Sequence, residues 1–430
     1  MTTTTTRVLS FQGRRAARQA RPAADTDRTV RLRIALAWGL VFLNVLTFYK
    51  GTWNQLPLII PIPSKIGQVM TQGSLPAALL LAWSVNRRVV IRPNVFLSLL
   101  TLLWVEALVS AANVNEHSLG AHLSGTLYRT VRLGEFIAIL WLLTPFAARR
   151  DLLLVKCQLG ALGVVLGSVL LGLFIVPHRA LAEGRLSGEF WPITPVQVAD
   201  YAAVALGLVV VLWFCGEMSG RRAGPISAVL AIMLLLSHTR TEVISLGAGL
   251  LVAGLSMFAV RIRVRRLFAS VAITVSVAAI AFSSLLTTWL ARGENSSELS
   301  NLTGRTNVWT SVVNEPRDLW QMTFGFSLSN KAFNGLPIDS NWMASYWDLG
   351  LVGVTIIAAF LLFVLVDAFF QPRGVRRALT LFLVTYLLIT SYTETGLSDA
   401  SMYLLELALA ASLLIPPAPE GALYAGSAGP

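Results

Sequence analysis

The sequence predicts an all-α polytopic membrane protein of about twelve transmembrane helices, with one long extracytoplasmic loop between the ninth and tenth. Three observations predict this. Hydrophobic residues make up 55% of the 430-residue chain and charged residues 13%, with a mean hydropathy of +0.67; a soluble domain carries about 25% charged residues. Apolar runs repeatedly reach the roughly 20 residues that a helix needs to cross the hydrocarbon layer. The two-residue alternation of an outer-membrane barrel is missing.

Residues 1–33 are rich in Thr, Arg and Ala and lack the apolar stretch of a cleavable signal. They read as a basic cytoplasmic tail whose arginines act as an orientation signal. The predicted spans are 34–49, 66–84, 95–113, 129–147, 152–176, 196–215, 224–238, 241–260 and 267–291, which place helices one to nine within 34–291. A loop domain follows at 292–341, then spans 342–367, 376–393 and 400–416, then a cytoplasmic tail at 417–430. Pro57, Pro61, Pro63 and Pro76 crowd the approach to the second span. The seventh and eighth nearly touch, joined by His238-Thr239-Arg240.

With the N-terminus in the cytoplasm, alternation puts Asn86 to Arg92, Arg149-Arg150, Arg221-Arg222, Arg261 to Arg266 and Arg373 to Arg377 on the cytoplasmic side. All are short and basic, the positive-inside pattern, and both termini become cytoplasmic. The outward segments are then 177–195, 238–240, 292–341 and 393–399. The loop of about 50 residues far exceeds the usual connection of about 4–6, and such loops tend to carry function. Within it Trp309, Val312, Val313 and Trp320 sit at helical spacing, which predicts an amphipathic helix on the membrane surface.

The net charge of +12 does not indicate a nucleic-acid partner, because the arginines sit at span ends and not on one soluble face. Cys157 and Cys215 fall within apolar runs and read as small buried side chains. Only Lys50, Lys65, Lys156 and Lys331 are lysines among 34 basic residues, a composition that suggests a GC-rich bacterial genome. There is no P-loop and no glycine-rich dinucleotide fingerprint. His117, His122, His178 and His238 lack metal-ligand spacing, and no outward Asp-x-Asp pair stands out. No cofactor and a metal-independent mechanism are expected.

The outward arginines Arg185, Arg240, Arg305 and Arg317 are the candidate anion-binding groups. Their planar guanidinium pairs with phosphate oxygens. Gly304 before Arg305 lets backbone approach a ligand closely. Arg317, beside Glu315 and Asp318, is expected to pair locally. Asp339, just before a span, can accept a proton or orient a hydroxyl, while Asp339, Ser340 and Asn341 are each suited to cap that helix. Two carboxyls lie inside spans: Glu135 is expected to pair with Arg132, and Glu106 to hydrogen-bond a neighbouring helix.

At these residues the chain resembles the O-antigen ligase and polymerase superfamily, bacterial membrane enzymes that move glycans from an undecaprenyl-type diphosphate carrier to an acceptor. Leu236-Ser237-His238-Thr239-Arg240-Thr241 is similar to that family's Ser-Arg-Thr-like turn. Gly304-Arg305-Thr306 with Trp309 resembles its Gly-Arg-Thr segment, and Arg185-Leu186-Ser187-Gly188 with Pro195 a weaker Arg–Gly–Pro segment. Ser340, Gly350 and Gly353 keep the spacing of a His–Gly-x-x-Gly motif, with Asp339 where the ligases carry histidine.

The resemblance implies catalytic roles for Arg240, Arg305 and Asp339, and substrate binding by Arg185, Gly304, Thr306, Ser340 and Asn341. The implied partners are a polyprenyl-diphosphate-linked glycan donor, a glycan or lipid acceptor and membrane lipids, at the bacterial cytoplasmic membrane. A free aspartate titrates near 3.9, and neighbouring arginines are expected to push Asp339 lower, so that it orients the acceptor hydroxyl and is a weak base. The alternatives are a transporter or flippase, which about twelve spans also fit, and a non-catalytic assembly factor. No repeat relates 34–215 to 224–416, which disfavours the transporter.

Overall fold

A computed structural model describes residues 27–46, 64–87, 89–112, 123–147, 152–181, 184–191, 193–267, 269–270, 305–329 and 331–415. The predicted ninth span beyond residue 270, the loop up to Gly304 and most of both predicted tails lie outside the described residues. The helices are α1 (27–45), α2 (Ser64–Val85), α3 (Val95–Ala111), α4 (Leu123–Ala147), α5 (Leu153–Ile175) and the single turn α6 (Pro177–Ala180). They continue with α7 (Pro195–Cys215), α8 (Gly220–Leu236), α9 (Arg240–Phe258), α10 (Arg305–Asn314), α11 (Leu319–Phe324), α12 (Asn341–Phe370), α13 (Val375–Thr390) and α14 (Met402–Leu414). A two-stranded antiparallel hairpin, β1 (Ala332–Phe333) and β2 (Leu336–Pro337), precedes α12. The protein is thus an all-α membrane protein. Helices α4, α5, α7, α9 and α12 are long and apolar enough to cross a bilayer, with shorter apolar helices at Val69–Val85, Val95–Ala111 and Met402–Leu414.

The sequence sets these limits locally. Thr194 caps α7 with a full capping box to Gln197, Pro195 occupies the first turn, and Gly216 closes the helix in a left-handed conformation. Asn94 caps α3 and Ser401 caps α14, each through a side-chain oxygen accepting a backbone N–H. Helix α7 is buried along nearly its whole length, whereas α5 leaves Val164 and Phe174 exposed. An apolar helix face exposed on a membrane protein faces lipid. The most extensive helix contact joins α9 and α13, with Gly207 of α7 and Gly249 of α9 packed on the Phe382 ring. Small residues allow such close approach without side-chain loss.

Helix α12 departs from its predicted form. The span expected as one continuous helix is interrupted at Gly350, whose φ of 62° and ψ of −160° suit glycine alone. A Cβ there would sit 2.4 Å from the Thr323 carbonyl carbon. The first nine residues, Asn341 to Leu349, form an end segment, and Leu351 to Phe370 continue as the membrane-length helix.

At that end of the bundle a second, small core assembles from Val312 of α10, Phe333 and Ile338 around the hairpin, and Ala344 and Trp347 of α12. Asn334 and Gly335, both at positive φ, make the tight hairpin turn. The expected surface helix is revised accordingly. Val312 is fully buried and Trp309 stacks edge-on against Tyr392 at 5.3 Å, leaving Val313 and Trp320 exposed.

Candidate functional site

The helix termini on the loop-bearing side bring together α9, the start of α10, the residues before α12 and the turn after α13. Arg305 opens α10, and its Nε donates to Asp339 Oδ2 at 3.2 Å. These residues are 34 positions apart, and the small core beneath them holds α10 against the hairpin and α12. The pair is accessible, with 28% of the Arg305 and 38% of the Asp339 side chain exposed. Ser340 occupies the N-cap of α12 but contributes no side-chain cap bond, and the carboxylate beside it bonds Arg305.

Two further carboxyls adjoin this pair. Glu394, in the turn after α13, and Glu242, in the first turn of α9, both interact electrostatically with Arg305 and with each other. Thr393 Oγ1 donates to Thr241 Oγ1 at 3.2 Å, which locks the Glu394 turn to the start of α9. Arg240 is the residue before Thr241 and is half-buried. Arg305 is the cation that acts on both Glu242 and Glu394, while Arg240 stands two positions before Glu242 at the start of α9.

Arg185 is placed differently from expectation. Its Nε donates to the Ser237 carbonyl at 3.0 Å and its Nη2 to Thr239 Oγ1 at 3.3 Å. It braces the Ser237-His238-Thr239 turn, where His238 takes a left-handed φ of 52°, and so positions Arg240. Leu186 N adds a bond to Leu236 O.

Ser340 and Asn341 are turned inward, 2% and 1% exposed, so the expected substrate contacts at these two positions are not offered to the surface. Asn341 N donates to Ser391 O and its Oδ1 accepts from Leu397 N, tying α12 to the turn after α13. Thr306 lies half-buried one residue along α10, and Gly304 lies outside the described residues. Arg317 is not a free surface charge. It stacks on Phe326, Tyr346 and Trp347 at 5.4, 4.5 and 4.7 Å and donates to the Val312 and Tyr346 carbonyls. Of its expected partners, Glu315 acts on it electrostatically, and the rings and backbone carbonyls supply the close contacts.

Below this surface lie acids that sequence reasoning passed over. Asp200 of α7 is 2% exposed and accepts a 2.8 Å hydrogen bond from Tyr386 Oη of α13. Glu242 and Glu406 are fully buried, and neither carboxyl has a hydrogen-bond partner among the described residues. The available signal was a carboxylate inside an apolar run, the same signal that singled out Glu106 and Glu135. Glu106 is itself buried, with Oε1 lacking a partner among the described residues, so its expected interhelix bond is not formed through that atom. Arg132 turns to Asn44, which accepts at 2.7 Å through Oδ1, and away from the expected Glu135.

The acidities of the surface carboxyls correct one expectation. Burial raises the Asp339 carboxyl above the usual aspartate value, against the opposing pull of Arg305. Desolvation of the partly buried carboxyl outweighs the single cation. Glu394 is pushed up to about 8, first by burial, with Asp339 adding to it and Arg305 opposing. The site therefore sets the Asp339–Arg305 pair next to a Glu394 that is mostly protonated at neutral pH. That arrangement supplies a cation for an anionic group, a carboxylate that can accept a proton, and a neutral acid that can donate one.

No protein-family model matches the chain, and no curated protein matches it significantly.

Proposed function

We propose that the protein transfers a glycan from a polyprenyl-diphosphate carrier to an acceptor hydroxyl on the extracytoplasmic face of a bacterial cytoplasmic membrane. In this reading about twelve spans cross the bilayer, both termini are cytoplasmic, and residues 292–341 form the extracytoplasmic loop domain between 34–291 and 342–416. The observation that carries it is the 3.2 Å Arg305–Asp339 pair, partly exposed at the helix termini and adjoining Glu394 and the start of α9. A diphosphate transfer needs a fixed cation beside a proton acceptor, and this pair offers both in one place.

The carrier lipid lies between helices, with its diphosphate against Arg305 and Arg240. The acceptor hydroxyl, held at Asp339, attacks the anomeric carbon as the bond to the diphosphate oxygen breaks. Asp339 takes the hydroxyl proton, and the diphosphate leaves as an anion. The arginines stabilise the charge growing on the departing oxygen, which is commonly the largest catalytic contribution. Displacement from the opposite face inverts the sugar carbon. Burial raises the pKa of Asp339, which makes its carboxylate a better proton acceptor and favours a role as base over mere orientation. Arg185 acts behind Arg240 as a positioning residue.

The test is turnover of a polyprenyl-diphosphate saccharide by purified protein and by Arg240→Ala and Arg305→Ala at matched membrane abundance. Wild-type transfer by both variants would remove the proposed site. Product length then separates a polymerase, which yields a ladder of repeats, from a ligase, which yields a single capping event.

The buried acids Asp200, Glu242 and Glu406 favour a second reading, a proton-linked transporter, since intramembrane carboxyls commonly serve proton pathways. Against it, the break in α12 lies nine residues from the helix end, while transporter helices break near the bilayer midplane. Saccharide-dependent proton uptake by proteoliposomes without glycan transfer would favour that reading.

A further inference from the structure

We infer that α11 (Leu319–Phe324) is an interfacial anchor, seated in the lipid headgroup–acyl boundary on the loop-bearing side of the membrane, and that it sets the height of the Arg305–Asp339 pair. It rests on the membrane character of the chain and stands whether or not the protein transfers glycans.

The composition of α11 is unsuited to water. Its sequence is Leu-Trp-Gln-Met-Thr-Phe, and Leu319 is 83%, Trp320 47% and Met322 38% exposed. Trp320 and Phe324 form an aromatic pair with ring centroids 4.2 Å apart. The polar members are used internally, Gln321 in a capping box with Asp318 and Thr323 Oγ1 on the Leu319 carbonyl. A six-residue helix with this much uncovered apolar and aromatic surface matches what membrane interfaces favour, amphipathic rings included.

The occupant of that surface is decided by the level at which the backbone holds α11. Its C-terminal Gly325 lies against the Asp348 carbonyl, and Gly350 lies against Thr323; a Cβ on either glycine would stand 2.4 Å from those atoms. Phe326 N then donates to Trp347 O at 3.0 Å and Ser327 N to Asp348 O at 2.8 Å. Ser110 near the end of α3 donates to the same Asp348 carbonyl. Helix α11 is thus riveted where α3 ends and where the membrane-length part of α12 begins. Those two helices themselves expose apolar residues close in sequence to this junction, Leu108 of α3 and Leu351 of α12. An apolar surface fixed at the level of two such helix boundaries meets the same bilayer.

The link to the site is rigid. Arg317, two residues before α11, is clamped between Phe326, Tyr346 and Trp347 and donates to Val312 O of α10. Helix α10 carries Arg305 and α12 follows Asp339, so anchor and pair move as one block.

The experiment places a nitroxide at Leu319→Cys and at Met322→Cys in full-length protein lacking Cys157 and Cys215, reconstituted in nanodiscs. Collision rates with oxygen and with a water-soluble nickel chelate report depth. Asn334→Cys at the exposed hairpin tip gives the aqueous reference, and Leu362→Cys on the exposed face of α12 the lipid reference. The expected result is an oxygen-to-nickel ratio at 319 and 322 at least twofold above that at 334 and approaching that at 362. A ratio equal to that at 334 overturns the anchor. Protection from both reagents also overturns it, since another part of the chain or a second copy would then cover the face. The labelled side chains are exposed, and glycan turnover by the labelled protein reports separately on the transfer reading.

Discussion

Arg305→Ala separates a catalytic pair from a structural one, because the two roles differ in magnitude. With 28% and 38% of the side chains exposed, the Arg305–Asp339 ion pair is screened by water and contributes about 1 kcal/mol or less to stability. Removing a cation that stabilises a departing diphosphate costs about 3–4 kcal/mol of transition-state energy, roughly 10²–10³ in rate. Arg305→Ala should therefore keep its membrane abundance and shift the thermal transition by only about 1–2 °C. Its transfer rate should fall at least a hundredfold. Asp339→Asn should do likewise, and the double variant should lose little more than the worse single variant, since groups that act as a unit are non-additive. Detergent-solubilised protein gives the thermal transition by intrinsic fluorescence, and single-turnover transfer to a fluorescent acceptor gives the rate. A loss of stability that parallels the loss of rate would make the pair a structural clip and refute the assignment. So would independent, fully additive losses in the double variant.

Three further outcomes are expected. Gly350→Ala forces a Cβ to within 2.4 Å of the Thr323 backbone at a positive φ, so it should cost about 3 kcal/mol or more and lower membrane abundance several-fold, read by quantitative blotting. Phe333→Ala should empty the small core at a cost of about 3–5 kcal/mol and open 305–340 to protease while the membrane helices stay protected, since the large core does not include it. Glu394, raised to about 8 when folded, binds its proton more tightly than in the unfolded chain; its contribution to stability is complete below about pH 4.3 and is lost as pH rises through 8. Glu394→Gln should flatten that part of the stability profile, and an unchanged profile in thermal scans from pH 5 to 9 would show that Glu394 does not titrate there.

Much of the fold was legible because membrane burial is written into local composition. Each helix must satisfy its own backbone in lipid, so an uninterrupted apolar run of the right length specifies a helix wherever it lies. The Asn334-Gly335 hairpin carried an equally local signal, which the helix-centred reading passed over. Arg305 and Asp339 were also visible in advance, as rare charges in a polar stretch beside an apolar run.

The sequence by itself thus determined the class of the protein, the approximate helix limits and the candidate charged residues, all of which depend on neighbours within a few turns. The tertiary structure alone decided which charges meet. It set Asp339 against Arg305 across 34 residues and assigned Arg185 to bracing the Arg240 turn. It also sandwiched Arg317 between rings and buried Glu242 and Glu406 beneath the site. Those outcomes follow from packing, which brings side chains of distant segments within hydrogen-bond reach and strips their water. Neither effect has a signature in the spacing of residues along the chain.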